Sequence, residues 1–300
     1  MQQGVILINA YLKSDAHSAQ AMRLQEELAN VGLHTEIVRN DNFFAYVDGG
    51  NIHSSLSKKY GFCVYLDKDK YVSEMLEETG LRLFNRHCAV RDCDDKMQTY
   101  IRLAGKGIPL VKTLPGLLCY LPSEEIRLQT VLRIEEEIGY PVVIKESFGS
   151  LGKNVFLAED RQTLLSVMEM LKCRPHIFQK AVQTSMGKDL RVIVVGGKAV
   201  GGMLRTSKTD FRSNIELGGE GAPYPLSEEI ASLCVRVAEI LQLDYCGIDI
   251  LFGENDAPLI CEVNSNAFFG GFERVTGINV ARAYAKHIYK EITGDSVCKK

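Results

Sequence analysis

Residues 247–277, GIDILFGENDAPLICEVNSNAFFGGFERVTG, constrain the fold more than any other stretch of the chain. Two apolar runs, 248–252 and 258–263, flank a polar Gly-Glu-Asn-Asp-Ala turn, the pattern of a β-hairpin. Each strand carries one acid, Asp249 and Glu262, inside sequence that reads as buried. An ionised carboxylate in an apolar setting is costly unless it is paired or bound to a cation. Asn264 follows Glu262 by two residues, so both side chains share one face of an extended strand. Two carboxylates and an amide oxygen from adjacent strands form a hard-oxygen site suited to Mg²⁺. Buried arginine or lysine partners would satisfy the same acids equally well. Both readings stand until the rest of the chain is considered.

With 300 residues and 46% hydrophobic content, the chain is long enough for two or three packed units. A net charge of -3 and no long basic run argue against nucleic acid as a main partner. No stretch approaches the ~18 consecutive apolar residues of a membrane span. The N-terminus runs directly into Val5-Ile6-Leu7-Ile8 without a cationic leader. The nine cysteines are scattered among apolar positions such as Cys63, Cys119, Cys234 and Cys261. They read as reduced core residues of a cytoplasmic protein. His87, Cys88 and Cys93 lack the second cluster that a zinc site needs.

Strand 5–9, helix 16–30 after a Ser14-Asp15 cap signal, strands 34–38 and 61–66, helix 70–79 and strand 81–85 alternate. That alternation implies a parallel sheet with crossover helices, so residues 1–88 are expected to form a Rossmann-like α/β domain. The turn after the first strand lacks the glycine fingerprint of a dinucleotide site, which argues against a nicotinamide-dependent dehydrogenase.

Residues 89–180 are expected to form an α+β unit. A helix over 94–106 carries Lys96 in its first turn, where a lysine alone reads as a solvated charge. Strands 110–113 and 117–120, helix 124–138 and strand 140–146 follow. Lys145 ends the last of these, just before Ser147-Phe148-Gly149-Ser150-Leu151-Gly152-Lys153-Asn154. Glycines let loop N–H groups approach phosphate oxygens, and an adjoining lysine reaches the same anion. The spacing is not that of a P-loop, and an ordinary hairpin loop fits it as well. Strand 155–157, helix 161–171 and strand 176–179 complete the unit.

Residues 181–294 begin with strand 189–195, a Gly196-Gly197 hairpin turn and strand 198–205. Asp189 and Arg191 share one strand face, the usual mark of a weak surface ion pair. The basic segment 205–214 and Gly218-Gly219-Glu220-Gly221 precede helix 227–241 and the acid-bearing hairpin. Basic groups facing two carboxylates suggest a clamp for a transferring phosphoryl group. Helix 279–292 closes the chain, and residues 295–300 are expected to fray.

Phe84-Asn85, Cys93-Asp94-Asp95-Lys96, Lys145 with its glycine loop, Asp189-Leu190-Arg191, Asp210-Phe211-Arg212-Ser213-Asn214 and Glu262-Val263-Asn264-Ser265 occur in this order. Together they resemble the ATP-grasp superfamily, and within it the RimK-like amino-acid ligases, from about residue 81 to 291. The resemblance implies an ATP-grasp fold with an N-terminal pre-ATP-grasp α/β domain, followed by a central subdomain (89–180) and a C-terminal one (181–294). It implies an ATP-dependent carboxylate–amine ligase acting through an acyl phosphate. Its partners would be an amino acid, often glutamate, and a carboxylate acceptor, in a homo-oligomeric enzyme. A dipeptide or D-alanine-type ligase and a non-catalytic ATP-binding regulator are the alternatives.

The same resemblance assigns roles. Lys96 and Lys145 reach the nucleotide phosphates, and the loop containing Gly149, Ser150 and Gly152 closes over ATP. Gln179, Lys180, Ala181 and Val182 form the hinge that holds adenine, with Asp189 near the ribose and Arg191 beside it in the same motif. Arg212 and Asn214 lie at the γ-phosphate and the reacting carboxylate, with Arg205 nearby. Asp249, Glu262 and Asn264 hold Mg²⁺ or Mn²⁺. Two departures bear on substrate. Lys180 stands where these ligases commonly have glutamate, and Asn266-Ala267-Phe268-Phe269 replaces a Ser-Pro-Gly segment near the acceptor site.

Overall fold

A computed structural model describes residues 3–11, 15–149, 152, 154–215 and 218–294. Expectations resting on Ser14, Ser150, residues 151 and 153 and the tail 295–300 lie outside these described residues. Among the described residues, three sheets of four or five strands occupy three successive stretches of the chain, and a two-stranded hairpin accompanies the first. The first stretch contains β1 (Gly4–Ile8), α1 (Asp15–Asn30), β2 (Thr35–Arg39), β3 (Ala45–Asp48), β4 (Asn51–Ser54), α2 (Leu56–Lys59), β5 (Phe62–Leu66), α3 (Lys70–Glu78) and β6 (Arg82–Phe84). Its main sheet is parallel throughout, in the order β2-β1-β5-β6.

Both faces of a parallel sheet must be covered, and the period-two alternation of β1 shows how. Val5 and Leu7 join one apolar cluster with Cys63, Tyr65 and Leu76. Ile6 and Ile8 join another with Leu24 and Leu28 of α1 and with Tyr284 and Ile288 near the C-terminus. The first and last parts of the chain therefore share one core. The β3–β4 hairpin turns at Gly49-Gly50, where both residues have positive φ (55° and 77°), a two-residue signal that the expected element order overlooked.

The expected helix over 94–106 begins only at Lys96 as α5 (Lys96–Leu103), and a separate helix, α4 (His87–Asp94), precedes it. Asp95 separates them in an extended conformation (φ -94°, ψ 109°), bridges to Phe148, and caps α5 by accepting from the N–H groups of Met97 (2.9 Å) and Gln98 (3.3 Å). Aspartate favours caps over helix interiors because its carboxylate competes for backbone donors. Asp95→Ala is expected to cost about 1 kcal/mol of stability, which urea denaturation of this variant checks.

The second stretch holds β7 (Thr113–Pro115), α6 (Leu128–Glu137), β8 (Val142–Glu146), β9 (Val155–Ala158), α7 (Arg161–Leu171) and β10 (His176–Lys180). Its antiparallel sheet, in the order β7-β10-β8-β9, packs Val142, Ile144 and Phe178 against α6 and α7. Two strand expectations fail here. Residues 110–113 supply only an isolated bridge from Leu110 to Ile260, and β7 starts at Thr113. Residues 117–120 form no strand and leave β7 as the sheet edge, with Leu117 (69%) and Tyr120 (85%) exposed rather than packed. The expected helix 124–138 begins only at Leu128.

The third stretch holds β11 (Lys188–Val195), β12 (Lys198–Thr206), β13 (Glu220–Tyr224), α8 (Glu228–Ile240), β14 (Tyr245–Phe252), β15 (Pro258–Asn264), α9 (Gly270–Thr276) and α10 (Val280–Thr293). The sheet is antiparallel, in the order β13-β12-β11-β14-β15. Leu190, Val192, Ile248 and Ile250 pack with Cys234 and Val237 of α8, so alternate residues of β11 and β14 face the other way. No helix among the described residues is long and apolar enough to cross a membrane.

Candidate active site

The faces that the helices leave uncovered meet at a cleft of about 330 Å³. On the central sheet, alternation turns Val143 and Lys145 of β8 and Gln179 of β10 toward it. On the C-terminal sheet, Asp189 and Arg191 of β11, Arg205 of β12, Asp249 of β14 and Glu262 and Asn264 of β15 line it. Lys96, Gly149, Gly152, Lys180, Val182, Arg212 and Asn214 complete the convergence of the expected site residues. Ala181 stands apart. It is not among the residues that line the cleft; it is buried, and its N–H donates to Pro141 O at 3.3 Å.

The two lysines are deeply placed, each 8% exposed, which replaces the solvated reading of Lys96. Lys96 Nζ donates to Gly149 O at 2.7 Å and lies 3.8 Å from Glu262 Oε1. Arg212 Nη1 donates to Gly152 O at 2.7 Å, while its Nη2 pairs with Asp210 Oδ2 at 2.7 Å. Two cations on opposite walls thus grip carbonyls of the same glycine loop. Phosphate oxygens are stronger acceptors for charged donors than carbonyls are.

A bulge in β15 explains a third feature. Asp249 pairs with Glu262 and Ile250 with Ile260, so Cys261 is the extra residue, and both it and Glu262 reach the cleft. Cys261 Sγ is 3.4 Å from Lys145 Nζ. Burial lowers the Lys145 pKa, but Cys261, Glu262 and Asp249 outweigh it and the net shift is upward. Burial pushes the Cys261 thiol up, so at neutral pH the charge opposing Lys145 comes from Glu262 and Asp249.

Asp189 and Arg191 are not a surface pair. Asp189 is buried and Arg191 largely so, and each bonds across the sheet to a different partner. Asp189 lies opposite Arg205 and accepts from its Nε and Nη2, both at 2.6 Å. Arg191 lies opposite Asp249 and holds it through Nε and through Nη2, the latter at 2.7 Å. Arg205 Nη2 also reaches Asp249 Oδ2 at 3.0 Å. Burial alone would raise the Asp249 carboxyl, but the two guanidinium groups hold it at about 2. Asp189 shifts upward, through burial and repulsion from Asp249 against the pull of Arg205. Of this linked pair, Asp249 faces two arginines and is the firmly ionised member.

The hairpin acids therefore have the cationic partners that one reading of the sequence required. Asp249, Glu262 and Asn264 also remain together on the cleft face, a hard-oxygen donor set compatible with Mg²⁺ when phosphate oxygens complete the shell. Among the described residues, no three His, Cys, Asp or Glu side chains converge into a metal cluster of their own.

The RimK-like ATP-grasp domain matches residues 93–288. The chain belongs to the RimK-like ATP-grasp family. Human N-acetylaspartylglutamate synthase A is 39% identical over 227 residues, covering 75% of this chain and 56% of that protein. β-Citrylglutamate synthase B of Danio rerio is 40% identical over 228 residues, covering 75% of this chain and 55% of that protein. The matches thus span little more than half the length of these relatives. The ATP-grasp ligase PsnB, complexed with a phosphomimetic variant of a minimal precursor, Mg and ADP, shares the fold. Its TM-score is 0.68 at 17% identity, over 98% of this chain and 99% of that one. All the site residues expected from the motifs lie within the RimK-like segment, whereas Asn9, Asp67 and Lys68, which also line the cleft, precede it. Sequence reading passed over these three, although Asn9 and Asp67 directly follow strands of a parallel sheet, where ligands commonly bind.

Proposed function

We propose that the protein is an ATP- and Mg²⁺-dependent carboxylate–amine ligase that joins an amino acid to a carboxylate acceptor. Glutamate is the leading amino acid, because both relatives named above are synthases of glutamate-containing products. One observation carries the reading. Lys96, Lys145 and Arg212 meet Asp249, Glu262 and Asn264 in a single cleft, where Lys96 and Arg212 bond Gly149 O and Gly152 O. Mn²⁺ suits the same oxygen donors.

A carboxylate is a poor electrophile and must be activated. Its oxygen attacks the γ-phosphorus, the bond to the bridging oxygen breaks, and the electron pair leaves with ADP. Lys96 and Lys145 would bind the phosphates, and Arg212 would offset repulsion between the two anions. Asp249, Glu262 and Asn264 would hold Mg²⁺, which neutralises charge developing on phosphoryl oxygens when bound. An amine then attacks the acyl carbon, phosphate departs and the nitrogen loses its proton, leaving an amide. Water would destroy the acyl phosphate. The loop whose Gly149 and Gly152 carbonyls bond Lys96 and Arg212 would exclude it.

The test is a phosphate-release screen of amino acids crossed with carboxylate acceptors, with mass spectrometry of the product. A ligase yields ADP, phosphate and a product equal in mass to acceptor plus amino acid minus water. ATP binding without phosphate release across the whole screen would sink the assignment and favour a regulator.

A further inference from the structure

Asp67 takes no part in the steps above, yet it lines the same cleft. It follows β5, as Asn9 follows the neighbouring parallel strand β1. In the order β2-β1-β5-β6, the chain leaves β1 for β2 on one side and returns to β5 on the other. The crevice between these strand ends is the topological switch point, where open parallel sheets bind ligands.

The surroundings of Asp67 are unusual for a buried acid. It is 6% exposed, and among the described residues its carboxylate accepts only from neutral donors. Asn9 Nδ2 lies at 3.1 and 3.3 Å from its two oxygens, Asn40 Nδ2 at 2.8 Å and the Lys68 N–H at 2.7 Å. Among the described residues, no basic side chain lies within 4.0 Å of it, and the Lys68 ammonium pairs instead with Asp94 at 3.0 Å. Burial, with repulsion from Asp69, raises its pKa despite the N–H donors. A buried anion without a countercharge is expensive, and this one borders a substrate-sized space.

We infer that Asp67 docks the ammonium group of the amino-acid substrate, with Asn9 and Asn40 holding its carboxylate in place. The inference rests on the ligase reading. It assigns to the leader sheet the choice of an amino-bearing substrate over an acid of the same shape. The competing view is that Asp67 only ties loops together, since Asn9 Oδ1 accepts from the Tyr11 N–H and Asn40 Oδ1 from the Ala10 N–H, both at 2.8 Å.

The test uses the amino acid that supports ADP formation together with its des-amino analogue as a competitive inhibitor. In the unaltered protein the analogue should bind at least about tenfold more weakly than the amino acid. Asp67→Asn should raise the amino-acid KM at least about tenfold while leaving the analogue's Ki and the KM for ATP unchanged. Asn40→Ala, which removes one of the ties but keeps the carboxylate, should raise the amino-acid KM less than Asp67→Asn does and leave the analogue the weaker ligand. Equal binding of analogue and amino acid by the unaltered protein would overturn the inference whether or not any variant folds. So would an unchanged KM in Asp67→Asn, or equal losses in both variants. If no amino acid supports turnover, the ligase reading falls and this inference falls with it; turnover without the Asp67 effect overturns this inference alone.

Discussion

Lys145→Ala and Glu262→Gln are each expected to lower amino-acid-dependent ADP formation by about 10²–10³-fold or more, the usual effect of removing a preorganised charge from a site where charge develops. Lys145 is the cation that β8 delivers to the floor of the cleft, held there by Cys261 and the nearby acids. Glu262 stands on the bulged segment opposite, with Lys96 its nearest cation at 3.8 Å. Neither change cuts into an apolar cluster, so thermal unfolding and circular dichroism should show a retained fold. Glutamine keeps the shape of glutamate and loses only the charge, so a deficit in that variant reports electrostatics rather than packing. Undiminished turnover in either variant would remove these residues from the site and the ligase mechanism with them.

Asp249→Ala should behave differently, with a stability loss of about 3–5 kcal/mol, because it leaves Arg191 and Arg205 buried without their shared anion. Both arginines are largely buried, and both bond directly to Asp249. The loss should appear as a lower urea midpoint with an unchanged slope, measured in chelator so that divalent ions do not contribute. The sign of the pH dependence follows from the depressed pKa. Asp249 titrates at about 2 in the folded chain and near 3.9 when unfolded, so the unfolded state takes up its proton first on acidification. Its stabilisation is complete above roughly pH 5 and disappears as pH falls from about 4 toward 2. The alanine variant lacks this contribution and should show a shallower acid limb over that window. A midpoint equal to that of the unaltered protein would mean that the charged quartet contributes nothing to the fold.

Much of the site was legible in sequence because strands impose a period of two. That rule placed Glu262 and Asn264 on one face, and with Asp249 of the adjacent strand they line one cleft. The glycine pair at residues 196–197 marked the β11–β12 turn, and Ser227 marked the start of α8, where it accepts from the Ile230 N–H at 3.2 Å. Other features escaped because they depend on neighbours distant in the chain. The apolar run 117–120 looks like a strand, yet it pairs with none of the sheets among the described residues. Asp95 looks like one more acid at a helix start, and its bridge to Phe148 cannot be anticipated locally. Asp189 and Arg191, two residues apart, suggested each other as partners, but register assigned them to Arg205 and Asp249.

By itself, the sequence determined the alternating leader sheet, the acid-bearing hairpin, the glycine loop and, through ordered motifs, the RimK-like ATP-grasp family. These depend on local periodicity, turn chemistry and residue identity, all of which the linear chain carries. Tertiary structure alone decided that Asp249 sits between two buried guanidinium groups, that a bulge brings Cys261 beside Lys145, and that Asp67 enters the same cleft with no basic partner among the described residues. Charges interact through space. Register across strands that are distant in sequence sets which charges meet, and burial sets how strongly they matter.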